Sequence, residues 1–175
     1  MKDALGKFLV DWRVRTIIPH VNGRLLDIGC GTNKLVSLYG SGIGIDVYQW
    51  GTVDLVVEDT SKLPFDDESF ETISIIAALN HIPSRETVLD EVHRLLSVNG
   101  IIIVTMIPPR LSRIWHFLRK PWDVDQKERG MMSGEVFGLT QREVRNLLTE
   151  AGFEIVYEKP FMLYVNHITV ARKNN

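Results

Sequence analysis

With 175 residues, 45% of them hydrophobic and 24% charged, the chain has the balance of a soluble globular protein and the length for one domain with a sizeable core. Its net charge of -2 argues against general nucleic-acid binding, which usually goes with a basic surface. Cys30 is the one cysteine, so no internal disulfide forms, and a reducing, cytoplasmic setting is expected. The opening "MKDALGKFLVDWRVR" scatters charge without a clean apolar core, so no secretory signal is expected, and apolar runs such as 100–109 are too short to span a membrane.

In chain order, Asp3 to Ile18 predicts a helix with Leu5, Phe8, Leu9 and Trp12 on one helical face, stopped by Pro19. Short runs rich in isoleucine, valine and leucine follow at 24–28, 42–47, 54–57, 72–77 and 101–106. They barely alternate, as parallel strands buried on both faces do. Glu86 to Leu96 reads as a helix, and Asn99-Gly100 as the turn into the next strand. Thr140 and Glu143 make a capping box for a helix that Gly152 ends. Residues 153–158 and 161–170 read as a closing strand pair that turns near Lys159-Pro160. Strands alternating with helices predict a doubly wound α/β sheet, and no second domain is evident.

In such a sheet the first glycine turn lies at the ligand-binding edge. Here it reads "LLDIGCGTNKL", with Asp27 two residues ahead of Gly29. A dinucleotide reading fits poorly. Lys34 stands where a third glycine allows close helix packing. Asp27 would also repel a diphosphate, by about 4 kcal/mol per charge pair at ~4 Å and an effective dielectric near 20. A ligand with a positive group near Asp27 and no phosphate removes the conflict.

The chain resembles the class I S-adenosylmethionine-dependent methyltransferases, especially the group related to quinone-biosynthesis methyltransferases. The resemblance rests on the order of "LDIGCGTN", "GIDVY", "EDTSKLPFDDESFETI", "ALNHIPS", "LDEVHRLLSVNGIIIV" and "LTQREVRNLLTEAGFEIV". It covers nearly the whole chain except 108–138. It implies a Rossmann-like, seven-stranded, mostly parallel sheet with a C-terminal antiparallel strand between helical layers. The implied cofactor is S-adenosyl-L-methionine, with S-adenosyl-L-homocysteine as product, and no metal is expected.

The resemblance also implies residue roles. Asp27 faces the ligand's ammonium, and Gly29, Cys30 and Gly31 let the backbone approach its methionine part. Asp46 accepts the ribose hydroxyls, Val47 and Tyr48 flank the adenine, and Asp59 accepts the adenine amino group with Thr60 beside it. For Asp59 the alternative is a cap on the 60–62 turn. Asn33 replaces the family's last glycine, a replacement that asparagine tolerates in the left-handed region. Only 48–53 separate the second and third strands, where the family often has a helix, and either Trp50 or another chain covers the gap.

The expected activity is methyl transfer to a small-molecule acceptor, with an anionic or lipid-like one among the candidates; the alternative is a non-catalytic cofactor-binding subunit that regulates or scaffolds a partner. His81 is the candidate base, with loop ordering as its alternative role. One domain is expected over 1–175, with an acceptor-side insert at about 107–138. There "PPRLSRIWHFLRKPW" places Leu111, Ile114, Trp115 and Leu118 beside Arg110, Arg113, Arg119 and Lys120. The expected role is a lid over the acceptor; packing on the core and contact with a membrane surface are the alternatives. Met131 and Met132 are candidates for an apolar pocket lining, and the oligomeric state stays open.

Overall fold

The computed structural model describes residues 4–113 and 133–174. The elements run α1 (Ala4–Ile17), a 3-10 turn (Ile18–His20), β1 (Leu25–Ile28), α2 (Lys34–Tyr39), β2 (Ile43–Asp46), β3 (Leu55–Val56) and β4 (Phe70–Ile76). A second 3-10 turn (Leu79–His81), α3 (Arg85–Leu95), β5 (Leu96–Met106), α4 (Gln141–Glu150), β6 (Phe153–Phe161) and β7 (Asn166–Lys173) follow. Residues 109–113 are also helical.

The strands form one seven-stranded sheet in the order β3-β2-β1-β4-β5-β7-β6. β1 to β5 pair in parallel, whereas β7 runs antiparallel to both β5 and β6. Both faces are buried, which explains the unbroken apolar runs. Leu26, Ile28, Ile73, Ile75, Ile102 and Val104 pack with α3 and α4. Their neighbours Leu25 and Ile103 pack on the opposite face with Val14 and Ile17 of α1 and Leu35 of α2. The strand order reverses at β1, so the turn after Ile28 opens at the switch point.

Two expectations need correction, and one apolar face proves to lie outside the core. Among the described side chains of α1, Val14 and Ile17 are buried, while Phe8 and Trp12 are 57% and 37% exposed and touch each other edge to face. An apolar stripe marks an inner face only where the helix is docked, and here the C-terminal half reaches the core. β5 begins at Leu96, so Asn99-Gly100 is a bulge within a strand. Phe70 pairs with Leu96 and Thr72 with Ile101, and Asn99 takes φ 64. Finally, Lys159 and Pro160 lie inside β6. The hairpin turns at 162–165, through left-handed Met162, Leu163 and Tyr164. β6 is an edge strand, where proline's missing N–H need not break the ladder. The predicted cap of α4 is present, with Glu143 N–H donating to Thr140 Oγ1 and Thr140 N–H donating to Glu143 Oε2.

Candidate functional site

The turn after β1 is built by glycine. Gly29 takes φ 71, and a Cβ there would sit 2.6 Å from that of Ala78. Gly31 takes φ 54, and its missing Cβ leaves open space. The N–H groups of Gly29 and Cys30 both donate to the Ile45 carbonyl, at 2.9 and 3.0 Å, which ties the turn to β2. Asn33 adopts φ 54 and ψ 33, the left-handed conformation expected of it.

Beside this turn lies a cavity of about 630 Å³. Gly29, Gly31, Asp46, Val47, Asp59, Thr60 and His81 all line it, together with Tyr48, Trp50 and Glu58. Its apolar wall comes from Ile76, Ala77, Ala78, Ile82 and Pro83. The charged groups on the described lining are carboxylates, of Asp46, Glu58 and Asp59, with no lysine or arginine among them.

Asp46 ends β2 and is 8% exposed. Gly31 N–H donates to one of its oxygens at 2.9 Å and Tyr48 N–H to the other at 3.0 Å. One carboxylate thus joins the glycine turn to the start of the β2–β3 loop. Asp59 receives both the N–H and the hydroxyl of Ser61, at 2.8 and 2.7 Å. Those hydrogen bonds, the hydroxyl's first, hold its pKa below the usual carboxylate range. Asp59 therefore caps its turn while facing the cavity.

Asp27 and Cys30 are not among the lining residues. Asp27 lies behind the turn, 2% exposed, and accepts the Ser74 hydroxyl at 2.6 Å. Burial pushes its pKa up to about 7, against the Ser74 hydrogen bond and with the help of the Asp46 charge. Burial, with the charges of Asp27, Asp46 and Asp54, pushes the Cys30 thiol up to about 12. It is therefore a protonated, weakly nucleophilic thiol at neutral pH.

The β2–β3 connection is an irregular loop whose Tyr48 and Trp50 rings pack at 4.6 Å between centroids. Asn33 Nδ2 donates to the Thr52 carbonyl at 2.9 Å and to Asp54 Oδ2 at 2.8 Å. Gly44 N–H donates to the same Asp54 oxygen at 2.8 Å, and the Thr52 hydroxyl to the Thr32 carbonyl at 2.8 Å. The stretch after Thr60 is held from α3. Leu63 N–H donates to Glu91, while Arg94 donates to the carbonyls of Leu63 and Phe65 and to the carboxylates of Glu91 and Asp67.

His81 stands on the 3-10 turn after β4, and its Nδ1 lies 3.3 Å from Glu135 Oε2. The Glu135 side chain is 1% exposed. Its segment is fastened to this turn. Val136 N–H donates to the Asn80 carbonyl, and Asn80 Nδ2 to the Val136 carbonyl. Arg85 donates to the carbonyls of Leu79, Asn80 and Gly134. Sequence reasoning missed Glu135, because nothing local in a polar stretch marks a partner 54 positions away.

Of the acceptor-side insert, Arg110, Leu111 and Arg113 are exposed, and the Arg113 guanidinium lies 5.6 Å from the Phe137 ring centre. Ile114, Trp115, Leu118, Arg119, Lys120, Met131 and Met132 lie outside the described residues. No described helix is long and apolar enough to cross a membrane.

Residues 26–104 match the family model described as a methyltransferase domain. Those residues hold the glycine turn, Asp46, Asp59 and His81. That segment is a methyltransferase domain. It is 30% identical to an uncharacterized protein of Methanocaldococcus jannaschii, over 76% of this chain and 62% of that one. It is 28% identical to a demethylmenaquinone methyltransferase of Thermotoga maritima, over 86% of this chain and 80% of the relative. The chain thus spans less than two thirds of the first relative. A crystal structure of a Methanosarcina mazei SAM-dependent methyltransferase shares the fold, with a TM-score of 0.65, 24% identity, and coverage of 90% of this chain and 96% of that one.

The cofactor of this methyltransferase family is S-adenosyl-L-methionine, and S-adenosyl-L-homocysteine is its product. The cavity suits the cofactor on its own terms. The open space at Gly31 admits a close backbone approach, and the Tyr48 and Trp50 rings, tilted 52° to each other, offer aromatic surface. Among the described lining residues the fixed charges are carboxylates, which favours a ligand carrying sulfonium and ammonium charges.

Proposed function

We propose that this methyltransferase domain transfers a methyl group to a small-molecule acceptor, with His81 as the base that takes the acceptor's proton. The observation that carries this reading is the buried Glu135 carboxylate behind His81, on the cavity wall beside an apolar surface. With the Nδ1 proton directed at Glu135, Nε2 keeps its lone pair. An acceptor hydroxyl can then pass its proton to Nε2 as its oxygen takes the methyl group. Bound S-adenosyl-L-methionine supplies that methyl on a sulfonium centre.

Asp46 would hold the ribose hydroxyls with lone pairs left over from Gly31 and Tyr48. Gly29 and Gly31, with Cys30 between them, would let the backbone meet the methionine part, with Asp27 behind the turn acting on its ammonium through space. Val47 and Tyr48 would flank the adenine, and Asp59 and Thr60 would meet its amino edge. The wall of Ile76, Ala77, Ala78, Ile82 and Pro83 supports an acceptor with an apolar body. The name of the Thermotoga maritima relative, demethylmenaquinone methyltransferase, supports a lipid-like one. An anionic group on the acceptor would meet Arg110 and Arg113 of the insert.

Titration calorimetry with S-adenosyl-L-homocysteine and with NAD tests the cofactor reading. The first should bind and the second should not, and the reverse result sinks the proposal. Transfer of labelled methyl from S-adenosyl-L-methionine to a panel of quinols and phenols tests the chemistry. His81→Gln should lower turnover by roughly 10²–10⁴-fold while S-adenosyl-L-homocysteine still binds. Unchanged turnover removes His81 as the base.

A further inference from the structure

The β2–β3 loop presents Val47, Tyr48 and Trp50 to the cavity, yet it contains no helix to hold its shape. Its order comes from elsewhere. Asn33, at the start of α2, donates through one side-chain nitrogen to the Thr52 carbonyl and the Asp54 carboxylate. The same Asp54 oxygen receives Gly44 N–H, so β2, the loop and the glycine turn meet at one carboxylate. Gly44 makes room for this contact, since a Cβ there would fall 2.0 Å from Asn33 Oδ1. Asn33 is 4% exposed and is not among the cavity-lining residues.

We propose that Asn33 is a positioning residue for the adenosine part of the cofactor, acting through the loop and never touching the ligand. The inference rests on the functional reading above. A glycine at this position would keep the left-handed backbone and lose the tether. Asn33 therefore takes over the work of the missing helix, holding the aromatic wall in its binding arrangement before the ligand arrives. Pre-ordering a loop lowers the entropy lost when a ligand is bound, so the tether appears as affinity.

Asn33→Gly isolates the side chain, because glycine adopts φ 54 without strain. Calorimetry should show the variant binding S-adenosyl-L-homocysteine and 5′-methylthioadenosine roughly tenfold more weakly than the wild type. In a Trp50→Ala background the same substitution should have a smaller further effect, because the loop then has only the Tyr48 ring to position. A purely structural role would instead lower the melting temperature and reduce affinity equally in both backgrounds. Wild-type affinity in Asn33→Gly, or an undiminished loss beside Trp50→Ala, overturns the inference. If Asn33→Gly does not fold, Thr52→Val removes the second tether alone and should weaken both ligands in the same direction. A folded Thr52→Val with wild-type affinity also overturns it. Failure of the wild type to bind S-adenosyl-L-homocysteine would instead overturn the functional reading, and this inference with it.

Discussion

The Ser74 hydroxyl donates to Asp27 at 2.6 Å across the β1–β4 pair, where the two residues are register partners. The receiving carboxylate is buried, and its pKa is raised to about 7. The folded state therefore binds this proton more tightly than the unfolded chain, and the stability it contributes is lost as pH rises from roughly 4 to 7. Asp27→Asn keeps an acceptor for Ser74 and removes the charge. Its stability relative to the wild type should grow by about 1.4 kcal/mol per pH unit between pH 5 and 7, then level off. Denaturant unfolding of both proteins across pH 5 to 8 measures this, and a flat difference would show that the carboxyl titrates normally.

Asp46 accepts two backbone N–H groups, which makes Asn a poor substitute there. An amide can accept only through its oxygen, so its NH₂ would confront the N–H of Gly31 or Tyr48. Both Asp46→Asn and Asp46→Ala should weaken S-adenosyl-L-homocysteine binding by about 2–3 kcal/mol. Calorimetry on folded variants checks this, and a near-normal Asp46→Asn would show that charge and double acceptance are dispensable.

Arg94 binds the carbonyls of Leu63 and Phe65 while neutralising Glu91, whose side chain is 8% exposed. Arg94→Leu leaves that carboxylate buried beside an apolar group and takes the guanidinium from the Phe65 carbonyl, while the Leu63 carbonyl keeps the Phe65 N–H. We expect a loss of about 2–4 kcal/mol of stability, read from the urea midpoint. Arg94→Leu/Glu91→Leu should recover part of it, since the stranded charge is then gone. A double variant no better than the single one would place the cost in the loop carbonyls alone.

Gly44→Ala should be severely destabilising, because its Cβ falls against Asn33 Oδ1 and also 3.0 Å from the Cys30 sulfur. Adding Asn33→Gly removes the first clash. The double variant should therefore melt higher than Gly44→Ala alone, although Asn33→Gly taken singly weakens ligand binding. Thermal melts of the two proteins decide it, and an additive loss would mean that the Cys30 contact dominates.

The parts legible in the sequence were those with a local cause. Leu25 and Leu26 face opposite layers, so the run that holds them had to be apolar throughout. The glycine turn and the Thr140 capping box carry their chemistry within a few residues. What stayed hidden depends on distant chain. Pro160 reads as a turn until β6 is known to be an edge strand. Phe8 and Trp12 share an apolar face, and that the helix docks by its other half shows only in the structure. Glu135 meets His81, and Asn33 meets Asp54, across separations of 54 and 21 positions that no local pattern records.

Arg85 grips the carbonyls of Leu79, Asn80 and Gly134 with one guanidinium, and Asn80 pairs with Val136 in both directions. These contacts fasten residues 134–136 to the turn that carries His81, and Ser112 N–H donates to the Pro108 carbonyl. Every acceptor in this fastening is a main-chain carbonyl, so its geometry is indifferent to the side chain at Val136 and answers to the side chains of Asn80 and Arg85.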